Sequence, residues 1–435
     1  MTDGSSATAR TRAAGWSPWR AVVGFGVVSL TADMVYEGAR SVTGPLLATL
    51  GASALLVGLV TGAGEAVALV LRLFTGTWAD RSGRYWTLTL AGYALTAVCV
   101  PLLAVTPFLA GAGLASACVL VLAERTGKAV RSPAKSTLLA AAAGQVGMGR
   151  GMAVHKALDQ LGAVAGPLLV AGVAALAGTL WPAFAVLVVP GAVAIVVLLV
   201  LRRRLEPPAP KPPAPKPPAP SATVDAAATP VTPALTGAAA RRLPQVFWLF
   251  AASAGAATAG LVTFGVISFH LTEDRVVPVA AVPLVYAAAM AAEAVAALAT
   301  GWVYDHVGGR VLVVLPFLVA LVPPLAFTRS VPLVLVGVLV WGAAMGVQDS
   351  TVKALVADLV PSGRRATAYG VFAAVQGAAA VAGGAAAGAL YERSLPGLVI
   401  VVAATQVVTL VLLVTTLRKV ARPASAGDYG AEHRR

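Results

Sequence analysis

Long apolar runs separated by short polar segments dominate the chain. Twelve runs are long enough to cross about 30 Å of hydrocarbon as helices. In the first half they cover residues 21–46, 53–78, 86–106, 110–138, 151–175 and 182–201. In the second half they cover residues 244–271, 279–303, 311–328, 333–359, 366–391 and 397–417. The pattern predicts an all-α membrane protein with twelve transmembrane helices.

These runs divide the chain into two six-helix bundles joined by a linker. Between them, the segment Pro207–Pro220 reads PPAPKPPAPKPPAP, a composition that favours an extended polyproline II spacer over a helix. The predicted parts are an N-terminal tail (1–20), a first bundle (21–201), a Pro-rich linker (202–243), a second bundle (244–417) and a C-terminal tail (418–435).

The composition places the chain in lipid. Charged residues make up 11% of the 435 residues and hydrophobic residues 58%, whereas a soluble domain carries about 25% charged residues. The net charge of +14 gathers at the ends of the apolar runs. Because no basic helix face is interleaved with aromatic residues, the charge does not indicate nucleic-acid binding.

The basic residues predict the orientation. Loops on one side keep only Arg275, Arg329 and Arg393, while arginines crowd the loops on the side of both termini. Cytoplasmic loops of membrane proteins carry this excess. We therefore expect a multi-pass protein of a bacterial inner (plasma) membrane with both termini in the cytoplasm.

One charged loop between spans two and three occurs again, 225 positions later. The first copy contains Gly76, Asp80, Arg81, Gly83 and Arg84. In the second copy, after span eight, glycine, aspartate and glycine recur in register, and an arginine follows one position late: Gly301, Asp305, Gly308 and Arg310. A spacing kept in both halves indicates a duplicated unit.

Twelve spans in two halves, a long connector and the loop G-x-x-x-D-R-x-G-R resemble the major facilitator superfamily. The resemblance implies a secondary transporter in which two pseudo-symmetric six-helix bundles rock about a central site. It also implies a bacterial branch similar to proton antiporters of drugs or metabolites.

The repeated loop predicts a gate. Asp80 is expected to face the start of span eleven, and Asp305 the start of span five, where helix N-termini offer unpaired N–H groups. These contacts would lock the cytoplasmic side closed. In the alternative interpretation, both aspartates merely cap short loops.

Charged side chains inside the spans predict a central cavity, because such groups face the bundle interior rather than lipid. Asp33, Glu37 and Arg40 share one helix face. The candidates for proton coupling or substrate binding are Asp33, Glu37, Arg40, Glu65, Arg72, Glu124, Arg131, His155, Asp159 and Asp349. The alternative interpretation is a set of structural ion pairs.

Within this set, the spacing allows Glu37–Arg40, Glu65–Arg72 and Glu124–Lys128 to pair along their own helices. Asp33, His155 and Asp159 lack such a partner, although Lys156 or Arg150 lies near in sequence. Asp33, Glu37 and Asp159 are the best candidate proton carriers, because a carboxyl group desolvated in a membrane titrates toward neutral pH.

Span five contains Gly162-x-x-x-Gly166-Pro167, which resembles the superfamily's antiporter motif. Small residues allow close helix packing and proline kinks the helix. The paired glycines expected beyond it are replaced by Val170 and Ala171.

Enzyme signatures are missing from the sequence. It contains no Walker loop, metal-site spacing or Gly-x-Ser-x-Gly motif. We expect a monomer without cofactor or metal, driven by the proton gradient and binding protons and a small molecule. Three functions fit: proton-coupled efflux, uptake by a symporter or facilitator, and a membrane sensor or scaffold that does not transport.

Overall fold

The computed structural model describes residues 17–205, 243–360 and 364–421, and these residues form helices and connecting turns. Fourteen α-helices occur in these ranges. They are α1 Pro18–Thr49, α2 Ala54–Ser82, α3 Tyr85–Leu102, α4 Gly113–Ala143, α5 Met148–Ala177, α6 Trp181–Ala185, α7 Val188–Leu205, α8 Gln245–Gly260, α9 Phe264–Glu273, α10 Val282–Val307, α11 Val314–Ala326, α12 Val331–Leu359, α13 Arg365–Arg393 and α14 Leu395–Ala421. The Pro-rich repeat lies outside the described residues.

The fourteen helices make twelve spans. Ten stretches are long and apolar enough to cross a membrane, and one of them, the 48-residue stretch Val279–Ala326, holds two helices, α10 and α11. The helix α4 is less apolar because of its charges, yet its 31 residues extend about 46 Å, which is also enough to cross. Spans six and seven each consist of two helices, α6 with α7 and α8 with α9. The predicted twelve-helix fold is confirmed.

Span seven differs from the continuous helix predicted over residues 244–271. The helix α8 ends at Gly260 and α9 begins at Phe264. In the gap, the carbonyl of Val262 accepts a hydrogen bond from Nε1 of Trp341 at 2.8 Å. This contact satisfies a backbone group that the broken helix leaves free, so the break is stable inside the bundle.

The two halves meet through a few helix pairs. Within the first half α1 packs on α5 and α3 on α4, and within the second half α10 packs on α12 and α14 on α8. Across the halves, α2 packs on α13, α5 on α10 and α1 on α9. The large apolar core of the second half centres on residues such as Trp341, Tyr286 and Phe264.

Glycines allow the α2–α13 contact. A Cβ added at Gly384 would collide with the carbonyl oxygen of Gly58, and one added at Gly388 with that of Ala54. Within the second half, Gly342 and Gly346 of α12 approach the backbone of α10 in the same way. These glycine pairs therefore serve close packing between helices.

The bundle is sealed at one face. We call the face at which α1 begins and α14 ends the terminal face, and the other the opposite face. At the opposite face, Gly44 of α1 touches Gly265, Ser268 and Phe269 of α9, and residues 279–281 pack against α5. Phe269 is part of the first half's apolar core. The halves are thus closed together at the opposite face.

Candidate functional site

A cavity of about 380 Å³ lies between the halves, on the terminal side of the seal. Its charged lining comes from α1, α2, α4 and α5 of the first half and from α10 and α12 of the second: Asp33, Glu37, Arg40, Glu65, Arg72, Lys128, Arg131, Lys135, Lys156, Asp159, Glu293 and Asp349. Its volume falls within the range of roughly 300–1,000 Å³ typical of small-molecule sites. The side chain of Lys156 is 64% exposed, which places the open end of the cavity toward the terminal face.

The structure brings most of the predicted site residues together in this lining. Glu124 and His155 are the exceptions among the ten, since both are buried behind the cavity wall. Lys128, Lys135, Lys156 and Glu293 also line the cavity but were not among the ten candidates. By helical spacing Lys128 and Lys135 lie on the same face of α4 as Arg131, whereas Glu293 stands alone in its span and carried little signal.

Arg40 of α1 lies between two carboxylates of the first half. Its Nη2 lies 3.0 Å from Oε1 of Glu65, and its Nη1 lies 3.8 Å from Oε2 of Glu37. Nη1 of Arg125 lies 3.5 Å from the same oxygen of Glu65. The predicted pairing of Glu65 with Arg72 is therefore wrong, because seven residues span about 10 Å along one helix and arginines of neighbouring helices are closer.

Glu124 is bound by two arginines behind the wall. Its Oε2 lies 3.7 Å from Nε of Arg125 and its Oε1 lies 3.9 Å from Nη1 of Arg131. The Thr96 hydroxyl donates to Oε1 at 3.2 Å. The predicted partner Lys128 turns away instead, with Nζ 3.6 Å from the ring centroid of Tyr36. That cation–π contact replaces the predicted salt bridge.

This buried network gives a stability prediction. Glu124→Gln keeps the shape but removes the charge that Arg131 and Arg125 share, and charged hydrogen bonds contribute roughly 1.5–3 kcal/mol each. We expect a loss of about 1–3 kcal/mol in unfolding free energy, measured as a lower melting temperature of the purified protein. Glu392→Gln, at an exposed carboxylate near the opposite face, is the control. Equal melting temperatures for the two variants would contradict the prediction.

A second polar cluster joins α1 and α5. Asp33 of α1 and Asp159 of α5 both line the cavity and lie close enough to interact electrostatically. Nζ of Lys156 lies 2.8 Å from Oδ2 of Asp159, as its position in sequence suggested. His155 instead meets Ser29 and Lys135, each at 3.4 Å from Nε2.

Close helix packing brings the two aspartates together. Added Cβ atoms at Gly162 and Gly166 of α5 would collide with the carbonyl oxygens of Leu30 and Met34, which flank Asp33 on α1. Asp159 lies one turn before Gly162 on the same helix. The small residues of the motif therefore position the carboxyl pair.

Two tyrosine contacts escaped the sequence analysis, one across the interface between the halves and one within the first half. The hydroxyl of Tyr286 on α10 donates to Oε2 of Glu37 on α1, which links the halves at the cavity. Arg125 donates to the hydroxyl of Tyr36. An uncharged tyrosine inside an apolar run gives no sequence signal of such a role.

Beside the charged cavity lies a smaller, mostly uncharged one of about 130 Å³. Trp341, Gln348, Gln376 and Thr258 line it from the second half. Nε2 of Gln348 lies 3.3 Å from the Thr258 hydroxyl, while its buried Oε1 has no partner. The halves thus offer different surfaces, one rich in charge and one rich in amides and hydroxyls.

The repeated loop forms turns at the terminal face. Gly83, with φ of 64°, ends α2, and the Tyr85 hydroxyl donates to Oδ1 of Asp80 at 3.2 Å. The side chains of Asp80, Arg81 and Arg84 are exposed, while Gly76 packs lightly on Pro133 of α4.

In the second copy of the loop, Gly308, with φ of 61°, ends α10, and Asp305 and Arg310 are exposed. The described hydrogen bond of Asp80 stays within its own loop. The gate stays a prediction for a state closed at the terminal face.

The model of the Major Facilitator Superfamily matches residues 25–273 and again residues 262–434. The chain belongs to the major facilitator superfamily. An uncharacterized protein of Mycobacterium tuberculosis (strain H37Rv) is 52% identical over 398 residues, covering 91% of this chain and 93% of that protein. An uncharacterized protein of Mycobacterium bovis matches with the same identity and coverage.

Solved structures of the superfamily share the fold. A mutant of the nucleoside transporter NupG has a TM-score of 0.68 at 14% identity, covering 92% of this chain and 99% of that one. A bacterial homolog of the human lysosomal transporter Spinster, inward-facing and unoccupied, has a TM-score of 0.64 at 16% identity, covering 92% and 96%. This superfamily member is thus a multi-pass membrane transporter whose fold supports alternating access.

Proposed function

We propose that this transporter exports a small organic molecule from a bacterial cell in exchange for protons. The observation that carries the proposal is the position of Asp33 and Asp159, which both line the cavity where α1 and α5 pack closely. Neighbouring carboxylates repel each other, so such a pair favours holding one proton. Because the pair faces the cavity, it can exchange that proton when a substrate arrives.

Lysines beside the pair stabilise it after its proton has been released. Lys156 contacts Asp159, and Lys135 lies close enough to interact electrostatically with both aspartates. When the proton leaves, these ammonium groups stabilise the second negative charge. Occupancy of the pair by a proton therefore changes the net charge of the wall that a substrate meets.

The location of the pair couples it to helix movement. Asp33 and Asp159 lie on α1 and α5, and both helices also pack against the second half, on α9 and α10 respectively. A change in charge between α1 and α5 thus acts at the helices that separate when the opposite face opens. Coupling requires that the states with the opposite face closed and open bind the proton with different affinities.

Two features support export. The terminal face, toward which the cavity opens, is the cytoplasmic face if the arginine-rich loops lie inside. The Gly162-x-x-x-Gly166-Pro167 segment, similar to the antiporter motif, packs directly beside the carboxyl pair. A substrate would then enter from the cytoplasm and leave when a proton arrives from outside.

The proposal is tested in proteoliposomes loaded with a pH-sensitive dye. Cationic, anionic and zwitterionic compounds are added to the outside without an imposed gradient. Exchange predicts that uptake of a substrate drives protons out and makes the lumen alkaline, whereas symport acidifies it. Protein-free liposomes are the control. Acidification that depends on substrate, or substrate movement without a pH change, would overturn proton exchange.

A further inference from the structure

Apart from Asp33, the charged groups of the cavity that form no described salt bridge are divided by sign between its two walls. In the first half, the described carboxylates of the lining have cationic neighbours: Glu37 and Glu65 lie beside Arg40, Asp159 lies beside Lys156, and Asp33 interacts electrostatically with Lys135. No described carboxylate forms a salt bridge with Arg72 or Lys128. Unpaired charge on this wall is therefore positive.

Arg72 is the stronger of these two cations as an anchor. It lines the cavity from α2, and its buried Nε has no hydrogen-bond partner in the part of the chain that the structure describes. Lys128 of α4 lines the same cavity and rests on the ring of Tyr36. A buried donor without a partner costs free energy. An anion that accepts a hydrogen bond from Arg72 removes this cost, which favours its binding.

The second half presents the opposite sign. Its ionisable groups in the lining are Glu293 of α10 and Asp349 of α12. Among the described side chains neither carboxylate has a salt bridge or hydrogen bond, and Asp349 is exposed to the cavity. The close approach of α12 to α10 at Gly346, next to the backbone of Glu293, keeps the two carboxylates near each other.

We infer that the cavity binds a small zwitterion, with its anionic group at Arg72 and Lys128 and its cationic group at Glu293 and Asp349. This inference names the substrate class of the transport proposed above and rests on it. An uncharged part of the molecule fits the adjoining cavity beside Trp341, where the unpartnered amide oxygen of Gln348 accepts a hydrogen bond. A substrate that bridges the walls also draws the halves together at the terminal face.

The cavity's geometry argues against a singly charged substrate. A lone cation at Asp349 would leave Arg72 without a bound anion, and a lone anion at Arg72 would leave Glu293 and Asp349 without a bound cation. Each alternative forgoes one set of charge-assisted contacts and leaves desolvated groups unmatched. A zwitterion satisfies both walls at once.

The test uses detergent-purified full-length protein and its melting temperature, because a ligand that binds the folded state raises it. The probes are ω-amino acids of increasing chain length, from glycine to ω-aminooctanoate. Each is compared with the carboxylic acid and the amine of the same chain length. We expect at least one ω-amino acid to bind about tenfold or more tightly than its acid and its amine.

Two variants assign the ends of the zwitterion. Asp349→Asn is expected to weaken binding of the best ω-amino acid about tenfold and leave binding of the matching acid unchanged. Arg72→Gln is expected to weaken binding of the best ω-amino acid about tenfold and leave binding of the matching amine unchanged. Where Arg72→Gln fails to fold, Glu293→Gln replaces it and must behave like Asp349→Asn.

The wild-type panel decides the inference without any variant. If no ω-amino acid raises the melting temperature more than its acid or amine does, the zwitterion site is refuted. Binding is measured without a proton gradient, so this result leaves the proposed exchange standing. Conversely, zwitterion binding together with substrate movement that never changes the lumen pH refutes the exchange alone.

Discussion

Replacing both Asp33 and Asp159 by asparagine is expected to abolish proton-driven transport. Asparagine keeps the size and polarity of the side chain but cannot take up or release a proton. We expect the substrate-dependent pH change in proteoliposomes to fall at least about a hundredfold, equal to about 2.7 kcal/mol in the rate. Exchange of labelled for unlabelled substrate, which needs no net proton movement, is expected to continue.

The matched control for this double variant is Glu273→Gln. Glu273 is an exposed carboxylate at the end of α9, away from the cavity lining. The Glu273→Gln substitution removes a carboxylate without changing the Asp33–Asp159 pair. The substrate-dependent pH change is therefore expected to stay within about twofold of wild type. A double variant that still moves protons with its substrate would show that other groups carry them.

Replacing Gly384 with leucine should trap the transporter with its opposite face open. In the present state a side chain at this position collides with the backbone of α2 at Gly58. Overpacking costs about 1–3 kcal/mol or more, and the states of such a molecule differ by only a few kcal/mol. We therefore expect loss of transport without loss of folding.

The trapped state is read out by cysteine labelling. In a background carrying Cys99→Ser and Cys118→Ser, Ser268→Cys places a thiol in the closed seal, where Ser268 is fully buried. A membrane-impermeant maleimide should label it severalfold faster when Gly384→Leu is present. Gly172→Leu is the control, because an added Cβ at Gly172 meets nothing within 4 Å. Equal labelling in both variants would exclude the proposed shift.

The sequence predicts which faces of the helices are charged, because a face follows from spacing alone. Asp33, Glu37 and Arg40 are four and three residues apart and do line one cavity. The apolar runs likewise predict the spans, including residues 110–138 for α4. The charges of α4 lower its hydropathy, although the helix is long enough to cross the membrane.

Partner choice is not predictable from spacing, because it depends on which helices become neighbours. Glu65 binds Arg40 of α1 and Arg125 of α4, although Arg72 shares its own helix. The break in span seven is hidden for a similar reason. The residue that stabilises it, Trp341, lies 79 positions from Val262.

The seal at the opposite face has an electrical consequence. Where α1 meets α9 and α2 meets α13, the touching residues include Gly44, Gly265, Ser268, Phe269, Gly58 and Gly384. None of these six carries an acid or base, and their backbones lie in close contact. We therefore expect this state to hold a membrane potential without leaking protons, although its centre is rich in ionisable groups.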